Sequence, residues 1–229
     1  RALLWFQLAI FATNGNALVK FNSVLTKNTS NIVQMILATA RDTNRVISIF
    51  QEAFKDNPHI LFLLGERRLQ QKIAIMTKHV VKVALKRNGL YLSEDRQGVL
   101  IVFDPASLPL SFTEKVQQYW MALRCFQLHK LRSIARTEKL ASQRRIVQPG
   151  DLYVWFYAVS DEGLGGKTAR SLLSDLFDLA RQKNVAILAE TSISRNMVIY
   201  KRYGFETYDQ VQFETFPIFY MRREAQAQD

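Results

Sequence analysis

Between Val159 and Lys183 the chain brings Gly163, Gly165 and Gly166 together immediately ahead of Lys167-Thr168. A glycine-rich loop that feeds a helix N-terminus gathers backbone N–H groups around an anion, and the helix dipole favours negative charge there. The chemistry expected of this stretch is recognition of a phosphate. Asp161 to Thr168 (DEGLGGKT) comes within one residue of the phosphate-loop pattern G-x-x-x-x-G-K-T, with Asp161 at the first glycine. A loop of that kind opens a large parallel sheet and is followed by an acid-tipped strand that holds magnesium. The strand Val185 to Glu190 ends in an acid, but only about sixty residues follow the loop. Nucleotide binding by a P-loop is therefore the lesser alternative.

The elements around the loop follow from pattern. Asp151 to Val159 (DLYVWFYAV) is rich in aromatic and β-branched residues and reads as a strand. Lys167 to Lys183 carries Leu172, Leu173, Leu176, Phe177 and Ala180 on one helical face. Val185 to Glu190 is a second strand, and Ser194 to Tyr203 a short helix closed by Gly204. Phe205 to Tyr208 and Phe216 to Met221 are the last strands. Strand, loop, helix and strand in this order imply parallel pairing across a helical crossover.

Upstream, Ile32 to Thr39 reads as a buried strand. Asp42 caps a helix through Val46, Ile49, Phe50 and Phe54, which Asn57-Pro58 ends. A second helix runs from Arg67 to Arg87. Leu90 to Ser93 and Val99 to Phe103 form a hairpin around Glu94 to Gly98. Ser111 and Glu114 form a capping box for a helical region that extends to Arg145, where Pro149-Gly150 breaks it.

Of 229 residues, 48% are hydrophobic and 22% charged, which suits a globular chain with one sizeable core. A single cysteine, Cys125, excludes an internal disulfide and a cysteine metal cluster, and reads as a small buried hydrophobe. His59, His79 and His129 lie far apart without metal-ligand spacing, so no metal is expected. The net charge is +11, and Arg124, Lys130, Arg132, Arg136, Lys139, Arg144 and Arg145 face one acid, Glu138, in the helical region. Such a face attracts polyanions or simply keeps the protein in solution. No nucleic-acid module accompanies it, and no nucleic-acid partner is expected. The first methionine is Met35. Residues 1–34 are set apart as an N-terminal extension from a domain spanning 35–229. Within that extension, Ala2 to Ala12 is apolar but too short to span a bilayer, and Asn28-Thr29-Ser30 matches a glycosylation triplet. No membrane association is expected.

The C-terminal half resembles the GNAT family of N-acetyltransferases, and the order of elements follows that family from Ile32 to Arg222. Tyr157-Ala158-Val159 matches the end of its central strand. Leu164 to Ala169 (LGGKTA) stands where the family has R/Q-x-x-G-x-G/A, followed by the apolar pair Leu172-Leu173. Glu190-Thr191-Ser192, Asn196, Tyr200 and Gly204-Phe205 match its E-T-S…N…Y…G-F ending, and Phe219 to Arg222 its last strand. The loop departs from the pattern: Leu164 replaces Arg or Gln, Lys167 replaces Gly, and only Ala169 keeps its place.

The resemblance implies an α/β (α+β) fold with a mixed central sheet of six to seven strands flanked by helices. It also implies a helical insertion before the fourth strand. It implies a cytoplasmic enzyme that transfers an acyl group, acetyl first, from acetyl-CoA or another acyl-CoA to an amine. A small-molecule acceptor is expected ahead of a protein, and a homodimer is compatible. Amides of Leu164, Gly165, Gly166, Lys167, Thr168 and Ala169 would hold the pyrophosphate. The strand edge at Ala158 and Val159 would hold the pantetheine arm, with the N–H of Val159 or a neighbour aimed at the thioester oxygen. Asn196 would hydrogen-bond the cofactor, and Tyr200 would bind it and protonate the leaving thiolate. Glu190 would take the amine's proton. The altered loop leaves a non-catalytic CoA-binding module as the alternative.

Overall fold

A computed structural model of the chain describes residues 10–12, 35–104, 111–164, 166–213 and 216–225, with the backbone alone described at 10–12 and 137–138. The glycosylation triplet at Asn28 and the loop residue Gly165 lie outside this set.

Strands β1 (Ile10–Ala12), β2 (Ile36–Leu37), β3 (Leu90–Leu92), β4 (Gly98–Phe103), β5 (Leu152–Val159), β6 (Ile187–Thr191), β7 (Glu206–Gln212) and β8 (Pro217–Arg223) form one mixed sheet. Its order is β2-β3-β4-β5-β6-β8-β7, with β1 also paired to β5. Helices α1 (Thr43–Ala53), α2 (Pro58–Leu64), α3 (Leu69–Lys86), α4 (Phe112–Cys125) and α5 (Leu131–Arg144) precede β5. Helix α6 (Lys167–Lys183) joins β5 to β6, and α7 (Ser194–Arg202) joins β6 to β7. The α/β class, the mixed sheet and the helical insertion before the fourth strand of the 35–229 segment are thus as the resemblance implied.

Two apolar cores hold the layers. On one face Phe50 of α1 and Phe54, just past its end, stack edge-on at 4.9 Å, and Phe50 meets Phe156 of β5 at 5.2 Å. On the other, Leu172, Leu173 and Leu176 of α6 pack with Val154, Tyr157, Tyr200 and Phe205. Each such fully buried side chain contributes about 1.5–3 kcal/mol. Helix α6 comes close to the sheet because Gly98 has no side chain: a Cβ there would meet Leu172 Cδ1 at 2.5 Å and Thr168 Cγ2 at 2.9 Å.

Several upstream expectations are corrected. The strand read from Ile32 to Thr39 is, among the described residues, the two-residue edge strand β2, with Ile36 and Leu37 exposed. Asn57-Pro58 ends one helix but also starts another: the Asn57 side chain accepts from the His59 and Ile60 N–H groups, and Pro58 opens α2. Asp42 precedes α1, yet its carboxylate is turned back to the Thr39 N–H and hydroxyl. The long helical region divides at a 3-10 turn, Leu128–Lys130, into α4 and α5. The Ser111–Glu114 capping box is present. Cys125 is buried, and burial pushes its thiol up to about 11.

Candidate active site

Strand β5 carries the site. Its β4 edge is paired from Tyr153 to Val159, with a register shift between Ile101 and Val102. The shift is a β-bulge, so Trp155 and Phe156 both join the core under α1, while Val154, Tyr157 and Val159 join the core under α6. On the opposite edge, β5 pairs in parallel with β6 only at Leu152↔Ile187 and Tyr153↔Leu188. A bulged strand bends and twists away from its neighbour. Beyond Tyr153 the two strands are no longer paired.

The orientation of the open edge follows from alternation. Ser160 N–H donates to the Gln97 carbonyl on the β4 side at 2.8 Å. Stepping back along the strand, the main-chain groups of Val159 and Tyr157 therefore turn the other way, into the gap. Val159 is thus a backbone donor facing the gap. Strand β1 lies in the same gap: Ile10, Phe11 and Ala12 pair in parallel with Phe156, Tyr157 and Ala158, and β1 also runs close to β6.

The glycine loop leaves the end of β5 and is tied on both sides. Ser160 Oγ donates to Gln97 at 2.6 Å, and Gln97 Nε2 donates to Glu162 at 2.8 Å. Asp161 N–H donates to Glu52 of α1 at 2.9 Å, and the Asp161 carboxylate accepts from Lys55 at 3.0 Å. Gly166 takes a left-handed conformation (φ 85°) at the entry to α6, which suits glycine. Lys167 is exposed on the first turn. Thr168 is buried, and its hydroxyl donates to Asp95 at 2.5 Å. Its side chain fastens α6 to the β3–β4 turn, leaving its backbone N–H at the helix start. Leu164 is half-buried, Ala169 is buried, and the Ala169 carbonyl accepts from the Tyr157 hydroxyl at 2.7 Å.

Tyr200 and Asn196 lie buried on α7, on the α6 side of the sheet. The Tyr200 ring stands 5.9 Å from that of Phe205, and Gly204 turns the chain at φ 82° between them. Burial pushes the phenols of Tyr157 and Tyr200 well above the usual tyrosine range, with Tyr203 adding to the shift at Tyr157 and Tyr157 to that at Tyr200. Both therefore stay protonated and able to donate.

Glu190 sits on the other face. Leu188 and Tyr220, its neighbours along and across the sheet, belong to the core under α1–α5. Its carboxylate, 2% exposed, accepts from Arg145 through Nε and, at 3.3 Å, Nη2, and from the Tyr153 hydroxyl at 3.1 Å. The structure therefore brings Tyr157, Ala169, Asn196 and Tyr200 to one side of the gap and Glu190 to the other. The sequence argument missed Arg145 as the partner of Glu190. It had counted Arg145 within a solvated basic face, and a contact between such distant residues leaves no local pattern.

No protein-family model and no curated protein matches the sequence. Solved structures do match the fold. One is a protein from Corynebacterium glutamicum described as histone acetyltransferase HPA2 and related acetyltransferase: 18% identity, 85% of this chain and 97% of that one, TM-score 0.60. Another is arylalkylamine N-acetyltransferase 2 from Aedes aegypti: 12% identity, 84% and 98% coverage, TM-score 0.58. A third is the C-terminal condensation domain of Ebony in complex with β-alanyl-dopamine: 11% identity, 85% and 100% coverage, TM-score 0.58. The chain has the acetyltransferase fold. That sheet, antiparallel apart from the β5–β6 and β1–β5 pairs, is not the large parallel sheet a P-loop opens, so the P-loop alternative is set aside. No helix among the described residues is long and apolar enough to cross a membrane.

Proposed function

We propose that the chain is an acyl-CoA-dependent N-acyltransferase that passes an acyl group, acetyl first, to a small amine by direct attack. The observation that carries this reading is the gap between β5 and β6: main-chain groups of Tyr157 and Val159 turn into it, and it leads to a glycine loop at a helix start. The gap fits the proposed ligand, since its β5 edge accepts an extended chain as an added strand would, and β1 does so. Bound acyl-CoA would supply the activated thioester.

Each residue then has a role. The β5 edge on either side of Ala158 holds the pantetheine arm through main-chain groups of Tyr157 and Val159, and the Val159 N–H donates to the oxygen on which charge develops. Amides of Leu164, Gly165, Gly166, Lys167, Thr168 and Ala169 receive the pyrophosphate, and the Lys167 ammonium adds a positive charge. Asn196 donates to the bound ligand. Tyr200, kept protonated by burial, delivers its proton to the departing sulfur. Glu190 takes the amine's proton through water, while Arg145 and Tyr153 hold its carboxylate in place.

The test is release of free thiol from acetyl-CoA with a panel of amines, paired with calorimetry of CoA binding. Turnover with any amine supports the reading. CoA binding without thiol release points instead to the non-catalytic CoA-binding module suggested by Leu164 and Lys167. Failure of folded protein to bind CoA sinks both.

A further inference from the structure

Strand β1 occupies the stretch of β5 edge that the proposed ligand needs. The β4 edge of β5 is engaged from Tyr153 to Val159 apart from the bulge at Trp155, so the Ile10–Ala12 pairing at Phe156 to Ala158 can only use the other edge. There β6 has already left, after Tyr153↔Leu188. One strand fits between β5 and β6, and β1 lies close to both.

The register makes the overlap specific. Phe11 stands opposite Tyr157, whose main-chain groups face the gap. In a parallel ladder those groups bond the residues flanking the opposed one, so the Tyr157 N–H points at the Ile10 carbonyl and its carbonyl at the Ala12 N–H. The next donor along the edge is the Val159 N–H, and the carbonyl in line with it is that of Ala12. This is the donor assigned above to the thioester oxygen.

We infer that β1 is a built-in competitor: the N-terminal segment and the acyl-CoA pantetheine arm bind the same β5 edge, so that the chain's own strand must leave before acyl-CoA binds. The inference rests on the acyl-CoA reading. It adds that CoA affinity is set by an internal equilibrium. Apparent affinity falls by the fraction of molecules with an empty edge. If β1 fills the edge in nine-tenths of molecules or more, the apparent Kd rises about tenfold or more.

The experiment compares the full chain with its Ala12→Pro variant. Proline removes the N–H that faces the Tyr157 carbonyl. CoA is titrated calorimetrically into each, and thiol release is followed at acetyl-CoA concentrations below saturation. A synthetic peptide spanning residues 2–13 is then added to the variant. The expected result is a CoA Kd at least tenfold lower in Ala12→Pro, faster thiol release, and reversal of both by the peptide. Equal CoA affinity in the two proteins, or no effect of the peptide on a variant that binds more tightly, overturns the competitor while leaving the acyl-CoA reading intact. No CoA binding by either protein, with circular dichroism showing both folded, overturns the two together.

Discussion

Arg145 and Glu190 form a buried ion pair that fastens the segment after α5 to strand β6 across 45 residues of sequence. It links the helical insertion to the face of the sheet that carries Glu190. Taking away one partner strands a charge away from water, which costs about 3–5 kcal/mol. Arg145→Ala should therefore unfold in urea with a stability lower by about that amount. The double substitution Arg145→Leu/Glu190→Leu should recover most of it. An Arg145→Ala stability equal to that of the parent would show the pair to be exposed in solution.

Glu190→Gln keeps a hydrogen-bond acceptor for Tyr153 and removes the carboxylate. Loss of a general base lowers turnover by about 10²–10⁴-fold. The variant should bind CoA as the parent does and lose turnover in that range. Unchanged turnover would remove Glu190 from proton transfer and leave it as an anchor for Arg145.

For Tyr200→Phe, turnover should fall by about 10²-fold or more while CoA affinity changes little, because the ring remains and only the proton donor is lost. A normal rate in this variant would assign Tyr200 to packing against Phe205 alone.

Gly98→Ala puts a methyl group against Leu172 and Thr168 and should push the start of α6 outward. Overpacking of this kind costs about 1–3 kcal/mol. CoA affinity should drop along with stability. Lys167→Ala should weaken CoA binding severalfold, more at low salt than at high, with stability unchanged and no dependence on magnesium. A magnesium requirement would reopen the nucleotide reading.

Two groups of buried residues bracket the pH range of stability. Burial lowers the His59 imidazole to about 3. The unfolded chain therefore takes up the proton first as pH falls below about 6.5, and stability declines from there toward pH 3. His59→Leu should shift acid unfolding to lower pH. Tyr157 and Tyr200 move the other way: the unfolded phenols ionise near pH 10 while the folded ones stay protonated. Stability should fall above pH 10 by up to about 1.4 kcal/mol per pH unit for each tyrosine, and Tyr157→Phe/Tyr200→Phe should flatten that slope. Denaturant titrations from pH 4 to 11 check both limbs.

What could be read from the sequence follows the range of the interactions involved. Lys167 to Lys183 has a continuous apolar stripe and a glycine entry, and its helix begins and ends where the pattern places it. Gly204, with its positive φ, marked the end of α7 to within a residue or two. Pro58 misled because proline both stops one helix and starts another, and only the Asn57 side chain decides between the two. The bulge at Trp155 and Phe156 left no trace in an unbroken apolar run, although it sets which side chains face Tyr200. Tyr200 and Glu190 were legible as residues but not as occupants of opposite faces, since that depends on the parity of β6 and the turn into α7.

Strand β8, made after β7, lies inside the sheet between β6 and β7. During synthesis at about 5–20 residues per second, β6 therefore waits for some seconds with one edge unpaired, after the glycine loop, α6 and most of the cores already exist. Unpaired strand edges are where chains stick to one another. A ribosome stalled anywhere between Thr191 and Pro217 would leave a nascent chain with its glycine loop made and its sheet still open.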